Sequence, residues 1–126
     1  MKNVNIAHLR SKDINEMLSK WLLLTRPLHK LTIAEEKILH CFLRKRFEFM
    51  ASTSSNEIID RLLFSTEVRR DIQDELGYKM GTFQNYLSAM RTKGVIFENK
   101  LNKKMIPNIK LGDKTFQLIF NFTING

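Results

Sequence analysis

The chain has 126 residues, a length that fits one domain and leaves little room for two. Hydrophobic residues make up 43% of it and charged residues 27%, so it can bury a real core and disorder throughout is not expected. The 21 basic and 13 acidic side chains give a net charge of +8, which favours a polyanionic partner such as nucleic acid.

The same composition argues against a membrane or secreted protein. No apolar run approaches the roughly 18 residues that a membrane span needs, and the start, MKNVNIAHLR, lacks the apolar region of a secretory signal. The single cysteine, Cys41, excludes an internal disulfide framework and fits a reducing compartment. We therefore expect a cytoplasmic location. The abundance of Lys, Asn, Ile and Phe is typical of AT-rich genomes and suits a small phage protein in its bacterial host.

Charge is distributed unevenly along the chain. Residues 1–31 carry six basic and two acidic side chains, and residues 32–64 carry five of each. Residues 65–78 hold four acidic residues and two arginines, whereas residues 79–126 hold eight basic and two acidic residues. The two basic ends predict one positive face if they meet in space. The alternative is a lysine-rich surface that is simply solvated.

Capping residues and apolar periodicity predict the first helices. Asp13, with Glu16 three residues later, predicts the start of a helix over about 14–24 that stops near Pro27. Thr32 and Glu35 form a capping-box pattern at the start of a helix that continues to about residue 49.

Three further helices are predicted before residue 94. A short helix over 56–64 is expected to point four apolar residues inward, namely Ile58, Ile59, Leu62 and Leu63. Ser65 or Thr66 caps the next helix, which Gly77 ends because glycine readily takes a positive φ. A helix over about 81–93 follows and Gly94 closes it. Its predicted inward residues are Phe83, Tyr86, Leu87 and Met90.

Beyond Gly94 the apolar period changes from 3.6 to 2, which predicts strands. Val95–Glu98 and Phe116–Ile124 read as strands, with a turn at Gly112 and Asp113. Pro107 would confine a strand over 105–111 to a sheet edge. The predicted fold class is α+β and mostly α, with about five helices followed by a C-terminal antiparallel hairpin or small sheet.

The stretch EVRRDIQDELGYKMGTFQNYLSAMRTKGVIF resembles the core of the winged helix-turn-helix superfamily of DNA-binding proteins. The segment from Leu31 to Leu39 resembles the helix that precedes this core, so the resemblance covers about residues 31–124. It implies one winged-helix domain over 1–126. Residues 1–30 would form an N-terminal arm and accessory helix, residues 31–94 the helical core with the helix-turn-helix at 66–93, and residues 95–124 the β-wing.

The resemblance also implies a site on double-stranded DNA. The helix over about 81–93 would lie in the major groove, where Gln and Asn can bond adenine and Arg can bond guanine or phosphate. Lys79 would meet a phosphate at the helix start, and the wing lysines would contact phosphate or the minor groove. The candidate DNA-binding residues are Lys79, Thr82, Gln84, Asn85, Ser88, Arg91, Lys93, Lys100, Lys103 and Lys104.

A sequence-specific DNA-binding protein that regulates transcription is the leading functional hypothesis. Binding of origin DNA in replication would use the same features. The alternative is a non-enzymatic structural or protein-binding subunit of a larger assembly, such as a phage virion or transcription complex, because a fold does not fix a function. The apolar run from Trp21 to Leu24 in the first helix would serve a homodimer or a protein partner, or would simply complete the core.

No pattern points to catalysis, a cofactor or a metal. The histidines His8, His29 and His40 are scattered, and none has metal-ligand spacing with Cys41. Cys41 lies on the apolar side of a predicted helix and is expected to be a packed core thiol. The G-x-K-T string at 112–115 lacks the upstream glycine of a phosphate-binding loop. We therefore do not expect an enzyme.

Overall fold

The computed structural model describes residues 3–125, and over this range the fold is α+β and mostly helical. Six α-helices precede a two-stranded antiparallel sheet and a short 3-10 helix in this part of the chain. The helices are α1 (Ile14–Leu24), α2 (Arg26–His29), α3 (Ile33–Phe49), α4 (Asn56–Leu63), α5 (Thr66–Leu76) and α6 (Met80–Thr92). The strands are β1 (Ile96–Phe97) and β2 (Lys100–Leu101), and the 3-10 helix is Lys103–Met105. The helix beyond the five predicted ones is α2, a single turn with Pro27 near its start.

Side-chain caps begin the main helices where the sequence predicts them. The Asp13 carboxylate accepts a hydrogen bond from the Glu16 N–H at 2.9 Å. Thr32 and Glu35 form a reciprocal capping box, with distances of 3.2 Å from the Glu35 N–H to the hydroxyl and 3.0 Å from the Thr32 N–H to the carboxylate. Each bond satisfies a backbone N–H that has no partner inside the helix. The predicted starts of α1 and α3 are confirmed.

The core is built around α3, which packs against α1, α4, α5 and α6. Ile38, Leu39 and Phe42 of α3 are fully buried, and the Phe42 ring stacks on Phe64 at a centroid distance of 4.9 Å. Trp21 of α1 is also buried, and its indole N–H donates to the Met105 carbonyl at 3.0 Å. The first helix therefore completes the core and holds the segment that follows the hairpin.

Two of the four apolar residues predicted to point inward from α4 do not do so. Ile59 and Leu63 are buried, but Ile58 and Leu62 are 45% and 38% exposed. Successive residues of an α-helix are separated by about 100° around its axis, so an eight-residue helix that packs on α3 buries only one narrow stripe. The prediction that Ile58 and Leu62 face the core is wrong.

The sheet is much smaller than the alternating sequence predicts. Within the described residues its only strands are β1 and β2, joined by Glu98 and Asn99 at φ values of 50° and 56°, the geometry of a tight two-residue hairpin. Among the described residues, the segment predicted as a strand over 116–124 has no regular secondary structure and pairs with no strand, and residues 105–111 form no edge strand. Alternation indicates which side chains share a face, whereas a strand also needs a hydrogen-bonding partner.

Candidate nucleic-acid interface

The turn between α5 and α6 depends on one glycine. Gly77 adopts a φ of 72°, a left-handed conformation that side chains with a Cβ rarely take. The N–H groups of Gly77 and Tyr78 bond the carbonyls of Asp74 and Gln73 at 3.2 and 3.1 Å and so close the end of α5. Three residues separate Leu76, the last of α5, from Met80, the first of α6. The predicted end of α5 at Gly77 is confirmed.

The two faces of α6 differ sharply in chemistry. Its inner face buries Phe83, Leu87 and Met90 against the core. Its outer face exposes five of the residues predicted to contact DNA, namely Thr82, Gln84, Asn85, Ser88 and Arg91. Tyr86, predicted to point inward, is half-buried and packs on Tyr78. Because Met80–Thr92 contains no carboxylate, the outer face offers amides, hydroxyls and one guanidinium to a ligand.

The start of α6 carries positive charge. Lys79 is exposed and occupies the position before the helix, where its side chain makes no capping hydrogen bond. The first N–H groups of a helix lack partners within it and carry partial positive charge, so they favour an anion. Lys79 and the first turn of α6 can therefore contact one phosphate together.

Lys93 has a different environment from the other candidate residues. Its ammonium lies 2.5 Å from Oε1 of Glu35, whose side chain is only 4% exposed. The pair joins the end of α6 to the start of α3. Although Lys93 remains partly exposed, its charge is balanced by a buried carboxylate. The structure thus gives Lys93 a role in holding the fold.

The hairpin and the 3-10 helix that follows it present the three remaining lysines. Lys100 lies in β2, Lys103 and Lys104 lie in the 3-10 helix, and all three are exposed. The Asn102 side chain fixes this region, since its amide donates to the Gly94 carbonyl at 3.0 Å and its oxygen accepts from the Lys104 N–H at 3.0 Å. Sequence reasoning did not single out Asn102, because nothing local shows that its amide reaches Gly94.

Two of these lysines also line an open cleft between α4, the hairpin and residues 106–111. The cleft has a volume of about 1220 Å³, and Arg46, Asp60, Lys100 and Lys103 are among its lining residues. Burial raises the pKa of Asp60 even though the surrounding cations oppose the shift. Burial likewise lowers the pKa of Arg46 against the pull of Asp60. Sequence reasoning missed the cleft, since its walls come from distant parts of the chain.

The first helix contacts the C-terminal segment, but ion pairs neutralise part of the positive charge of the N-terminal end. Trp21 contacts both Met105 and Phe116, which brings α1 against the C-terminal segment. However, Lys20 pairs with Glu16 at 3.1 Å, and Arg26 pairs with Glu36 at 2.9 Å. The free positive charge of the candidate interface therefore comes mainly from residues 79–104.

Cys41 and His29 have structural partners. The buried Cys41 thiol donates to Glu75 at 3.2 Å, and burial together with this carboxylate raises the pKa of the thiol to about 12. His29 is buried and accepts a hydrogen bond from the Leu31 N–H at 3.0 Å. Among residues 3–125 no cluster of three or more His, Cys, Asp or Glu side chains is arranged to hold a metal ion.

The chain matches no protein-family model, no curated protein sequence and no solved structure. None of the described helices has both the length and the apolar composition that crossing a membrane requires. Its function is therefore inferred from its own residues and their arrangement.

Proposed function

We propose that this protein binds double-stranded DNA through the outer face of α6 and the lysines of β2 and the 3-10 helix, as a sequence-specific regulator of transcription. The observation that carries the proposal is the exposed face of α6, which holds Gln84, Asn85 and Arg91 and no carboxylate. A surface of amides and cations suits DNA because it offers hydrogen bonds to base edges without repelling phosphates. Replication initiators that bind origin DNA would use the same surface.

In this proposal α6 enters the major groove. Gln84 and Asn85 lie in the first half of the helix, the part of a recognition helix that contacts base edges. Each can form two hydrogen bonds with adenine, and Arg91 can bond guanine or a phosphate near the other end of the helix. Ser88 lies one turn from Gln84 and Asn85, so these side chains share one face.

The lysines around α6 supply contacts that do not depend on sequence. Lys79 and the first turn of α6 suit a phosphate, while Lys100, Lys103 and Lys104 extend positive charge beyond the end of the helix. Such contacts set the position of the protein on the duplex, and the helix face sets the sequence preference. Lys93 contributes least here, because it is paired with Glu35.

Fluorescence anisotropy with a random DNA duplex tests the proposal. We expect binding that weakens steeply between about 50 mM and about 200 mM salt, because phosphate neutralisation releases counterions. Arg91→Ala should weaken binding at least about fivefold. Lys37→Ala is the matched control, since Lys37 is exposed on α3 outside this surface and its loss removes the same charge. No binding even at low salt would refute the proposal.

Selection of preferred sequences from a random library then separates base reading from phosphate contact. Gln84→Ala should relax the preference at one or two positions, whereas Lys103→Ala should weaken binding to all sequences alike. Equal losses from both variants, with unchanged preference, would contradict base reading by α6.

A second function, as a protein-binding subunit of a larger assembly, is favoured by one feature of the surface. Leu23, Leu24 and Leu28 of α1 and α2 are exposed large apolar residues, and such patches mark interaction sites. Leu23 and Leu24 also lie on the predicted dimer surface of α1, where they are accessible to a second copy. Light scattering distinguishes the two functions, because a monodisperse monomer without affinity for a duplex would favour a missing protein partner.

A further inference from the structure

The C-terminal arm, residues 115–125, belongs to no helix or strand in the described part of the chain. No backbone–backbone hydrogen bond among the described residues involves it. Its sequence from Thr115 onward contains no charged residue, although the whole chain carries +8. Its backbone N–H and C=O groups are therefore open to pairing, and no charge on the arm opposes the approach of another strand.

Five apolar side chains alternate along the sequence of the arm, and only the first of them pack against the core. Phe116 and Leu118 are half-buried against the core, with the Phe116 ring 5.9 Å from the Trp21 ring. Farther along, Phe120, Phe122 and Ile124 are 40%, 93% and 95% exposed. Large apolar side chains at this spacing are typical of a strand that buries one face.

We propose that the arm pairs in antiparallel orientation with the arm of a second copy of this chain, in a register centred on Phe120. In this register Phe116 lies opposite Ile124 of the second copy, and Leu118 lies opposite Phe122 of the second copy. The exposed end of each arm is thereby brought beside the anchored end of the other. The new two-stranded ribbon extends the apolar surface around Trp21 in both copies and provides backbone partners for both arms.

A second copy fits the arm better than other occupants do. The apolar pattern F-x-L-x-F-x-F-x-I has large residues at symmetric distances from Phe120, so it matches itself when reversed. A two-fold symmetric interface requires this self-complementarity. Two chains of charge +8 repel elsewhere, whereas the uncharged arms do not. DNA offers no match to an uncharged apolar strand.

The size of the contact suits a weak interface. A fully exposed aromatic side chain can bury about 150–250 Å². Because Phe120 is 40% exposed whereas Phe122 and Ile124 are 93% and 95% exposed, pairing buries at most roughly 900 Å² in total, below the range of stable interfaces. We expect a weak, reversible dimer, and the inference does not rest on DNA binding.

Sedimentation velocity of the full chain between about 1 μM and about 100 μM covers the range expected for such an interface. The wild type should shift from monomer to dimer, and Phe120→Lys should remain monomeric because it sets two ammonium groups against each other at the centre. Ile119→Lys is the matched control, since it adds the same charge on the opposite face and should still dimerise. Circular dichroism verifies that both variants fold, as expected for substitutions of exposed side chains.

Disulfide trapping tests the register. Phe120→Cys should cross-link to itself under mild oxidation, because residues directly opposite in an antiparallel pair lie about 4.5–5.5 Å apart. Ile119→Cys should cross-link at least about tenfold less, since its counterpart lies on a diagonal about 7–8 Å away. The native Cys41 is buried and bonded to Glu75, so the wild-type chain gives the background.

Several results would overturn the inference. These are a wild type that is monomeric throughout the range, a Phe120→Lys variant that dimerises like the wild type, or loss of dimer in Ile119→Lys as well. Larger oligomers in place of a closed pair would also overturn it. So would a wild type that stays monomeric but binds neutral lipid vesicles through the arm. Loss of DNA binding with the dimer intact would refute only the proposed function.

Discussion

Glu35 connects the start of α3 to the end of α6 with a single carboxylate. It accepts a hydrogen bond from the Thr32 N–H at 3.0 Å and from the Lys93 ammonium at 2.5 Å, while its side chain is 4% exposed. Burial alone would raise the pKa of Glu35, but the bonds from Lys93 and Thr32 outweigh burial and lower it below the usual value. The carboxylate is therefore charged at neutral pH and stabilises the junction of α3 with the end of α6.

Lys93→Ala should lower the free energy of unfolding by about 1–2 kcal/mol at pH 7, because it leaves a buried carboxylate with only its capping bond. The loss should depend on pH. Since the folded state lowers the pKa of Glu35, its stabilising contribution is complete above the usual value of 4.5 and fades as the pH falls through the lowered pKa. Urea unfolding of the variant and the wild type at pH 7 and in acid checks this, because the difference between their free energies of unfolding should shrink as the pH falls.

Lys79→Ala is the control for this experiment. Lys79 is exposed and forms no ion pair within residues 3–125, so its removal should change the free energy of unfolding by less than about 0.5 kcal/mol. A Lys93→Ala variant as stable as Lys79→Ala at neutral pH would contradict the role of the pair. The pair itself escaped prediction because Lys93 and Glu35 are 58 residues apart in sequence.

At the scale of the elements, the starts and ends of helices were predicted from the sequence because they depend on hydrogen bonds between residues close together in the chain. Asp13 and Thr32 cap their helices within three residues, and Gly77 ends α5 through bonds to its own last turn. The errors concern elements whose outcome depends on distant partners. The alternation over 116–124 predicted a strand, yet it could not reveal that no strand among residues 3–125 lies beside this segment.

The two glycines that flank the start of α6 should respond in opposite ways to alanine. Gly77→Ala forces a Cβ into a φ of 72° and should cost about 1 kcal/mol, although nothing lies within 4 Å of the added atom. Gly81 lies inside α6 with equally open space around it. Gly81→Ala should therefore stabilise the protein by about 0.4–1 kcal/mol, because alanine loses less backbone freedom on folding.

Thermal or urea unfolding of both glycine variants measures this difference. Comparing the two variants isolates the effect of backbone conformation, because each substitution adds one methyl group with no other atom within 4 Å. Destabilisation of similar size in both variants would show that side-chain space, and not the left-handed turn, limits this region.

At the scale of the whole molecule, ion pairs decide which cations remain available to a ligand. The sequence predicted a positive face from the two basic ends, but Lys20 and Arg26 of the N-terminal end are paired with Glu16 and Glu36. Composition counts charges without showing these pairs. The sequence did predict the exposed face of α6, because helical periodicity separates its core residues from its polar ones.

The salt dependence of DNA binding should reflect this distribution of free cations. The candidate interface exposes five cations that form no ion pair in the described part of the chain, namely Lys79, Arg91, Lys100, Lys103 and Lys104. If each meets one phosphate, the logarithm of the binding constant should fall with the logarithm of salt concentration with a slope of about −4 to −5. Lys103→Ala should reduce the magnitude of that slope by about 1.

Lys93→Ala is the matched comparison, because it removes the same charge from the same segment but from a side chain already paired with Glu35. Its slope should stay within about 0.3 of the wild-type value, a small part of the change of about 0.9 per phosphate contact. Anisotropy titrations at four or more salt concentrations give both slopes, with circular dichroism to verify that each variant is folded at the temperature used. Equal changes in the two variants would mean that net charge alone, and not a defined surface on α6 and the hairpin, attracts the DNA.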